Sequence, residues 1–423
     1  MTVTVSDDAT NVGTTAQHKP VFFELMFDMV TLERPGDNPQ IPRNRSDRVG
    51  SVEVACRKDR DVPNSADASQ LLERIQRTVD AEVAHQREVL APLGDETDLM
   101  VDAIASLLSG GKRVRASFLY WGYRAAGGAD SDALVRASAS MELFQAAALL
   151  HDDVMDASDT RRGMPAAHRA MANAHRERGL TGDADRFGEA GAILAGDLCL
   201  TWADEMYATS GLPADEVLRG RRVFDLMRTQ LMGGQFLDVL EAVQNWEGLA
   251  TDERITRALR VIRYKSAKYT MEHPLLIGAT CAGGDDATLE ALSRYGLALG
   301  EAYQLRDDLL GVFGDPAQTG KPAGDDLREG KRTVIVAHLL DDLCADDRAF
   351  FDTHFGHDDL DTDEIERFRA LAMSTGAVDA VEQRITQGAD EARTALESLR
   401  ESMPTEAFAA LHDFIGTTTA RSS

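Results

Sequence analysis

The segment HDDVMDASDTRRG, residues 151–163, decides both the fold and the chemistry that this chain can support. The apolar residues 141–150 lead into it without glycine or proline and therefore favour a helix. On that helix Asp152 and Asp156 lie one turn apart on one face, with Asp153 beside them. Carboxylates this close repel one another unless a cation lies between them. Mg²⁺ suits such a site because it prefers oxygen ligands and shares them with substrate phosphates.

Two arginines complete this segment. Arg161 and Arg162 carry planar guanidinium groups that match phosphate oxygens. Together with the apolar helix, they indicate a hydrophobic diphosphate as substrate. The segment alone is weak evidence, because 71 of the 423 residues are acidic. Residues 358–361 form another acidic cluster, which we interpret as a solvated helix start.

Composition excludes several classes of protein. A chain of 423 residues can bury a large core, and its formal charge of −26 argues against a nucleic-acid partner. The four cysteines have no metal or disulfide spacing, which fits a reducing cytoplasm. The apolar run at residues 21–30 is short and contains Glu24 and Asp28. We therefore expect neither a signal peptide nor a transmembrane segment.

The pattern along the chain predicts an all-α protein. Residues 1–66 lack periodicity, and we expect them to form a disordered N-terminal extension before one catalytic domain, residues 67–423. A polar loop is predicted near residues 157–185, and no alternating strand pattern is visible. Helical patterns cover residues 187–209, 214–245, 252–281 and 286–313, with shorter ones at 332–345 and 363–416.

A basic segment begins one of the earlier helices. Gly110 and Gly111 precede Lys112, Arg113 and Arg115. Glycines let backbone approach an anion, and the start of a helix adds the positive end of its dipole. A helix stop followed by a solvated basic turn would give the same pattern, so this segment alone leaves both interpretations open.

A second acidic motif lies near the end of the pattern at 286–313. Gln304 is one turn before Asp307 and Asp308 in an otherwise apolar helix, where carboxylates are rare unless a partner or metal compensates them. The polar residues 314–333 follow it and predict a lid over a bound anion. Two weaker motifs, residues 234–238 and Lys265 with Ser266, lie within the helical patterns between the two acidic motifs.

In this order the motifs resemble those of the trans-isoprenyl diphosphate synthases, over about residues 70–420. The resemblance implies an isoprenoid synthase-type bundle of long antiparallel helices around a deep apolar cavity, and a homodimer. It also implies Mg²⁺-dependent head-to-tail condensation of isopentenyl diphosphate with an allylic diphosphate. A class I terpene cyclase and an inactive regulatory subunit are the less favoured alternatives. A cyclase would not need the basic segment, and an inactive subunit would tend to lose an acidic motif.

The resemblance also implies a role for each matching residue. About three Mg²⁺ ions per site would be bound, two by Asp152 and Asp156 and one by Asp307 with help from Asp308. The catalytic set comprises Asp152, Asp153, Asp156, Lys265, Asp307 and Asp308. The allylic diphosphate would contact Arg161, Lys265 and Lys321. Further substrate-binding residues are Ser266, Gln304 and Lys331. Isopentenyl diphosphate would contact Lys112, Arg115, Gln145 and Arg162.

Three positions depart from the family pattern. Gln145 stands where many members have histidine, and Ser266 replaces threonine but keeps the hydroxyl. Gly311 replaces the last aspartate of the second acidic motif. Metal binding at the second motif must therefore depend on Asp307 and Asp308.

Product length is predicted from the helix that precedes Asp152. In the family, a bulky residue at the position of Ala147 or Ala148 stops growth at fifteen carbons. Alanines at these positions predict that the growing prenyl chain extends past them. Phe144 is the first large side chain able to form the floor of the pocket. We therefore predict geranylgeranyl diphosphate (C20), with farnesyl and longer products, C25 and above, as alternatives.

Overall fold

The computed structural model describes residues 65–314, 324–357 and 359–419. The predicted extension, residues 1–66, therefore lies outside the described residues except for Ser65 and Ala66. The described residues all belong to one compact unit, Asp59–Ser423. Among them, strands are confined to one short hairpin, Thr160–Arg161 paired antiparallel with Met164–Pro165. The prediction of an all-α fold is confirmed.

The described elements follow one another in a simple order. The hairpin strands β1 and β2 lie between α4 and α5, and a π-helix, Ile262–Glu272, lies between α8 and α9. The α-helices are α1 Ser65–Leu90, α2 Asp98–Leu108, α3 Val114–Ala125, α4 Asp132–Met155, α5 Ala167–Glu177, α6 Ala184–Ala208, α7 Ala214–Ala242, α8 Thr251–Val261, α9 His273–Cys281, α10 Asp286–Phe313, α11 Asp325–Arg328, α12 Val334–Leu339, α13 Ala345–His354, α14 Thr362–Ser374, α15 Ala377–Glu397 and α16 Thr405–Thr419.

Helix α4 is the central element of the bundle. Its N-cap is Ser131, whose hydroxyl accepts a hydrogen bond from the backbone N–H of Leu134 at 3.1 Å. It is apolar on most sides because α1, α3 and α6 pack around it. Of the described helices, only α4 is long and apolar enough to cross a membrane, and 72% of its apolar window is buried in the protein's own core. That burial is typical of a core helix.

A second apolar cluster lies at the C-terminal half of α10. There Leu305, Leu309 and Val312 pack with side chains of α12, α13 and α14, including Phe351 and Phe368. This cluster fixes the end of α10, which carries the second acidic motif. Burial of such large side chains contributes about 1.5–3 kcal/mol each to stability.

The predicted helix over residues 252–281 is interrupted by the π-helix. Pro274, the second residue of α9, lies just after the π-helix and has no backbone N–H to donate. Neighbouring helices make room for the wider backbone with glycines. A β-carbon on Gly296 would lie 2.7 Å from Cα of Glu272, and one on Gly300 would lie 2.8 Å from Cα of Ala267. On α7, a β-carbon on Gly234 would overlap the backbone of Tyr264 and Lys265.

The prediction of a polar loop at residues 157–185 is wrong, because it contains the hairpin and α5. The buried face of α5 consists of His168, Met171, Ala172 and His175, which recur at helical spacing. Two of these four are histidines, so a search for apolar periodicity does not detect the helix. Helix α13 likewise has no counterpart among the predicted helices.

The acidic cluster at residues 358–361 agrees with its interpretation as a helix start, for the part that is described. Asp361 caps α14: its side chain accepts from the backbone N–H of Glu364, and the Glu364 side chain bonds back to Asp361 N–H. Asp358 lies outside the described residues.

We predict that Gly234→Ala destabilises the protein by roughly 1–3 kcal/mol, since the added methyl group overlaps the π-helix backbone. Gly233→Ala, one position earlier on the same helix, is the matched control. A β-carbon there meets nothing within 4 Å, so alanine should be neutral or slightly stabilising. Thermal denaturation of both variants checks this, and equal melting temperatures would contradict the packing argument.

Candidate active site

The first acidic motif lies at the C-terminal end of α4, where three helices meet. Asp152 accepts a hydrogen bond from Nε2 of Gln235 on α7 at 2.7 Å and one from Nζ of Lys265 on the π-helix at 3.3 Å. The Lys265 ammonium also pairs with Asp238 on α7. The lysine therefore joins α4, α7 and the π-helix through two carboxylates.

The two half-buried carboxylates of this motif differ in their ionisation. Burial opposes ionisation of Asp152, but the charges of Lys265 and Lys331 outweigh it and hold the pKa of that carboxyl below its ordinary value. Burial, followed by the negative charge of Asp152, raises the pKa of Asp156 to about 7. The pair therefore has an unfavourable interaction that a cation would relieve.

Asp153 points away from this pair. It is buried and accepts a hydrogen bond from Nε of Arg161 at 2.9 Å, with a second bond from the same guanidinium. Arg161 belongs to the β-hairpin, so Asp153 attaches the hairpin to α4. Arg162 has a positive φ of 53° and turns the other way, donating to the backbone oxygens of Leu107 at 3.0 Å and Gly110 at 2.8 Å.

The basic segment between α2 and α3 is held by a buried ion pair. Arg113 adopts a φ of 51° and pairs with Glu142 of α4 at 3.0 Å, with both side chains at most 7% exposed. The other oxygen of Glu142 accepts from the backbone N–H of Ala116 at 3.3 Å. Because Arg113 turns inward, Lys112 remains exposed and Arg115 half-buried.

Arg115 is positioned by the π-helix. Its guanidinium donates to Oγ1 of Thr270 at 2.9 Å and lies 4.1 Å from the centre of the Tyr269 ring. Ser266, on the same π-helix, is half-buried. The π-helix therefore contributes to both the acidic and the basic parts of the site.

The second acidic motif lies on α10. Asp308 is buried and accepts a hydrogen bond from Nε2 of Gln304 at 2.9 Å, while Asp307 is half-buried. Burial, followed by the negative charge of Asp326, raises the pKa of Asp308 to about 8. The Asp326 carboxylate occupies the space beside Gly311, where a β-carbon would overlap it.

Lys331 connects the two acidic motifs electrostatically. Its ammonium pairs with Asp326 at 3.3 Å and with Glu329 at 2.6 Å. Its charge also acts on both Asp156 and Asp308. The two motifs therefore face a common region. Lys321 lies outside the described residues.

The metal residues predicted from the sequence are separated between two helices. Among residues 65–314, 324–357 and 359–419, no three His, Cys, Asp or Glu side chains form a group that would hold a metal ion alone. The donor set nevertheless fits Mg²⁺, which uses one or two carboxylates and completes its shell with water and substrate phosphate. Asp152 and Asp156 supply such a pair.

Below the first acidic motif, α4 presents one polar side chain and two apolar ones. Gln145, Ala148 and Leu149 are half-buried, so they line the same open face as Asp152. Phe144 is 1% exposed and Ala147 fully buried. Ala147 lies about 140° around the helix axis from Asp152, whereas Ala148 lies about 40° away.

The sequence model of the polyprenyl synthetase family matches residues 97–372. The chain belongs to the polyprenyl synthetase family. It is 31% identical to the geranylfarnesyl diphosphate synthase of Aeropyrum pernix, over 68% of this chain and 83% of that protein. It is 30% identical to the geranylgeranyl diphosphate synthase of Methanosarcina mazei, over 69% of this chain and 81% of that protein.

Solved structures agree with this membership. The geranylgeranyl pyrophosphate synthase of Corynebacterium glutamicum, complexed with isoprenyl diphosphate and magnesium, superposes with a TM-score of 0.79 at 38% identity. The match covers 84% of this chain and 100% of that one. The protein is a prenyltransferase of isoprenoid biosynthesis, and the predicted family, fold and prenyl-transfer reaction are confirmed.

Several contacts in the site were not predicted from the sequence. The role of Glu142 as the anchor of the basic segment has no pattern of its own, because a single glutamate in an apolar helix is ambiguous. The position of Asp326 beside Gly311 depends on how α11 folds back on α10. The sequence signal for this contact is the glycine at position 311, where the family pattern has an aspartate.

We predict that Asp308→Asn stabilises the metal-free protein at pH 8. Between about pH 4 and pH 8 the unfolded chain loses a proton from this carboxyl that the folded protein retains, so wild-type stability falls as pH rises. The asparagine variant lacks this loss. Melting temperatures in EDTA at pH 4.5 and pH 8 should therefore diverge with rising pH, and a constant difference would contradict the prediction.

Proposed function

We propose that this prenyltransferase condenses isopentenyl diphosphate with an allylic diphosphate to give geranylgeranyl diphosphate, with Mg²⁺ as the cofactor. The observation that supports this most directly is the convergence of the two acidic motifs on a common region around Lys331. A cation-lined space between two carboxylate groups suits a diphosphate with its metal ions. The magnesium in the similar C. glutamicum structure supports the same assignment.

The metal-binding residues in this proposal are Asp152 on α4, Asp156 directly after α4 and Asp307 on α10, for about three ions. Asp308 and Asp326 would support the second motif, since Asp326 fills the space beside Gly311. Bound Mg²⁺ would neutralise charge that develops on the leaving diphosphate. Lys265, which pairs with Asp152, would turn toward the diphosphate once metal takes its place.

The allylic diphosphate would be held by Arg161, Lys265 and Lys331, with Ser266, Gln304 and Lys321 as further contacts. Asp153 would act indirectly, by fixing Arg161. These cations stabilise the diphosphate as its bond to carbon breaks and an allylic cation forms. The apolar wall of α4 excludes water from that cation.

Isopentenyl diphosphate would be held by Lys112, Arg115, Gln145 and Arg162. Lys112 is exposed next to the two glycines, and Arg162 is bonded to the same loop through the Gly110 oxygen. The double bond of this substrate attacks the allylic cation, and a proton is then lost to the released diphosphate. A terpene cyclase would have no use for such a second basic site.

The quaternary state that we propose is a homodimer. The C-terminal part of α7 and the residue after it carry a stripe of large apolar side chains that are 43–80% exposed: Met232, Phe236, Val239 and Val243. Such a stripe at helical spacing fits a second copy of the same helix. Sedimentation velocity at micromolar concentration tests this, and a monomer would refute it.

We also propose residues 67–423 as the catalytic domain and the cytoplasm as its location.

The chain length of C20 rests on the open face of α4. Ala148 leaves this face open one turn below Asp152. Phe144, the first large side chain below Ala148 on α4, lies eight residues below Asp152, about 12 Å along the axis. The relatives named for C20 and C25 products are similarly distant from this chain, so they leave both lengths open.

We predict that product forms only with Mg²⁺ or a similar ion, and that Asp152→Asn and Asp307→Asn each lower kcat by roughly 100-fold or more. Even outer residues of metal sites cost 10–100-fold when they are removed. Asp159→Asn is the matched control, because Asp159 is exposed and pairs with Arg169 at 2.8 Å. Labelled isopentenyl diphosphate with an allylic primer gives the rates. Near-normal turnover of either site variant, with the fold intact by circular dichroism, would refute the metal assignment.

We further predict that Ala148→Phe shifts the product toward farnesyl diphosphate, because the ring blocks the open face of α4. Ala148→Ser keeps the side chain small and should leave the product unchanged. Chromatography of dephosphorylated products measures the lengths. An unchanged product from Ala148→Phe would place the tail along another helix.

A further inference from the structure

Lys331 and Arg332 are neighbours in sequence but contact different parts of the protein. Lys331 pairs with Asp326, and its charge acts on both acidic motifs. The Arg332 guanidinium instead lies 5.8 Å from the centre of the Trp246 ring and 5.0 Å from that of Phe355. Both distances are within the range of about 6 Å over which an aromatic ring attracts a cation. No step of the proposed reaction uses this arginine.

The two rings that contact Arg332 are themselves fixed. The indole Nε1 of Trp246 donates a hydrogen bond to Glu241 at 3.1 Å, and both residues are buried. Phe355 stacks on Phe351 at 4.5 Å between ring centres, with 17° between the ring planes. Trp246 lies between α7 and α8, and Phe355 lies directly after α13. Arg332 therefore joins two segments that are far apart in the sequence.

The aromatic rings are the main partners of this guanidinium. Its Nε is buried and has no hydrogen-bond partner among the residues that the structure describes. The carboxylates of Asp352 and Glu241 act on Arg332 through their charge and not through a hydrogen bond. An apolar side chain would fill the same space at a lower desolvation cost. Packing alone therefore does not explain an arginine at this position.

The backbone before Lys331 is held against the turn that follows α13. The backbone N–H of Gly356 donates to the carbonyl oxygen of Leu327 at 2.9 Å. Gly330 has a φ of 65°, and a β-carbon on it would lie 3.0 Å from Cα of Gly356. Lys331 is therefore flanked by two contacts with the same turn, one on each side of it in the sequence.

We propose that Arg332 is a positioning residue for Lys331. Held between Trp246 and Phe355, it fixes the backbone from which the Lys331 ammonium reaches the region between the two acidic motifs. Such an anchor matters because the lysine stem is flexible and can be directed only from a fixed backbone. The inference rests on the proposed function, because it takes Lys331 as a contact of the allylic diphosphate.

Initial rates with labelled isopentenyl diphosphate, farnesyl diphosphate as the primer and saturating Mg²⁺ test this. Arg332→Met keeps a long side chain but removes the charge. It should raise the KM for farnesyl diphosphate roughly tenfold, since a misplacement of about 1 Å can cost a hundred-fold. The KM for isopentenyl diphosphate should stay unchanged. Arg332→Lys keeps a cation that can lie over the rings and should recover most of the loss. Equal changes in both KM values, or no change, would overturn the proposal.

A double variant separates positioning from a direct contact with the substrate. If Arg332 acts only through Lys331, adding Arg332→Met to Lys331→Met should change the KM for farnesyl diphosphate by less than about twofold. Multiplication of the two single effects would overturn the proposal.

Phe355→Leu keeps the proposal testable if Arg332→Met does not fold. This variant retains both cations and most of the apolar volume but removes one ring. It should raise the KM for farnesyl diphosphate and leave that for isopentenyl diphosphate unchanged. An unaltered KM for farnesyl diphosphate would overturn the proposal.

Arg367→Met is the matched control. The Arg367 guanidinium lies 4.0 Å from the ring centre of Phe350, in the same aromatic cluster, and pairs with Asp347 at 3.0 Å. Because Arg367 belongs to α14 and not to the segment of Lys331, its loss should leave both KM values unchanged. A raised KM for farnesyl diphosphate would overturn the proposal by showing that loss of any arginine from this cluster suffices.

Failure of the proposed function has a different outcome. If Lys331→Met leaves the KM for farnesyl diphosphate unchanged, Lys331 does not contact the allylic diphosphate, and the positioning role is refuted with it. If Lys331→Met raises that KM while Arg332→Met does not, the substrate assignment stands and only the positioning proposal is overturned.

Discussion

The structure depends on the need to hold several carboxylates inside an apolar helical bundle. Asp152, Asp156 and Asp308 lie where ionisation is costly, and each is influenced by the charge of Lys331. Lysine suits this task because its ammonium is a compact charge on a flexible stem, which can leave a carboxylate when a metal arrives. The chain contains only seven lysines among 45 basic residues. Its use of lysine at positions 265 and 331 is therefore consistent with a specific requirement.

The rest of the fold positions these charges. Helix α4 brings the first acidic motif to one end of its buried length, and α10, fixed by the second apolar cluster, brings the second motif opposite it. The π-helix places Lys265 against α7 and also positions Arg115 through Thr270. Close contact at Gly234, Gly296 and Gly300 makes this possible, since larger residues would displace the widened backbone. π-helical segments are frequent at functional sites.

Much of the fold followed from the sequence because its signals are local. The helix Asp286–Phe313 has the predicted bounds, and the order of the motifs along the chain was sufficient to indicate the family. The missed features depend on contacts between distant segments. Helix α5 was hidden by two buried histidines, and the π-helix depends on glycines of other helices. The space beside Gly311 is filled by Asp326, fifteen positions further along. No periodicity in the sequence indicates contacts of this kind. The positive φ of Arg113 has no sequence signal either.

The buried pair between Arg113 and Glu142 has a consequence for the accuracy of the site. Glu142 belongs to α4, ten positions before Asp152. The loop of the basic segment and the first acidic motif are therefore both attached to the same helix. A straight helix changes length very little, whereas loops change conformation more readily. The distance between the two proposed substrate sites is therefore fixed by one helix. Changes in the conformation of the loops between them do not alter it. Bond formation between two flexible substrates benefits when one helix positions both of them, because a misplacement of the reacting groups by about 1 Å can lower the rate a hundred-fold.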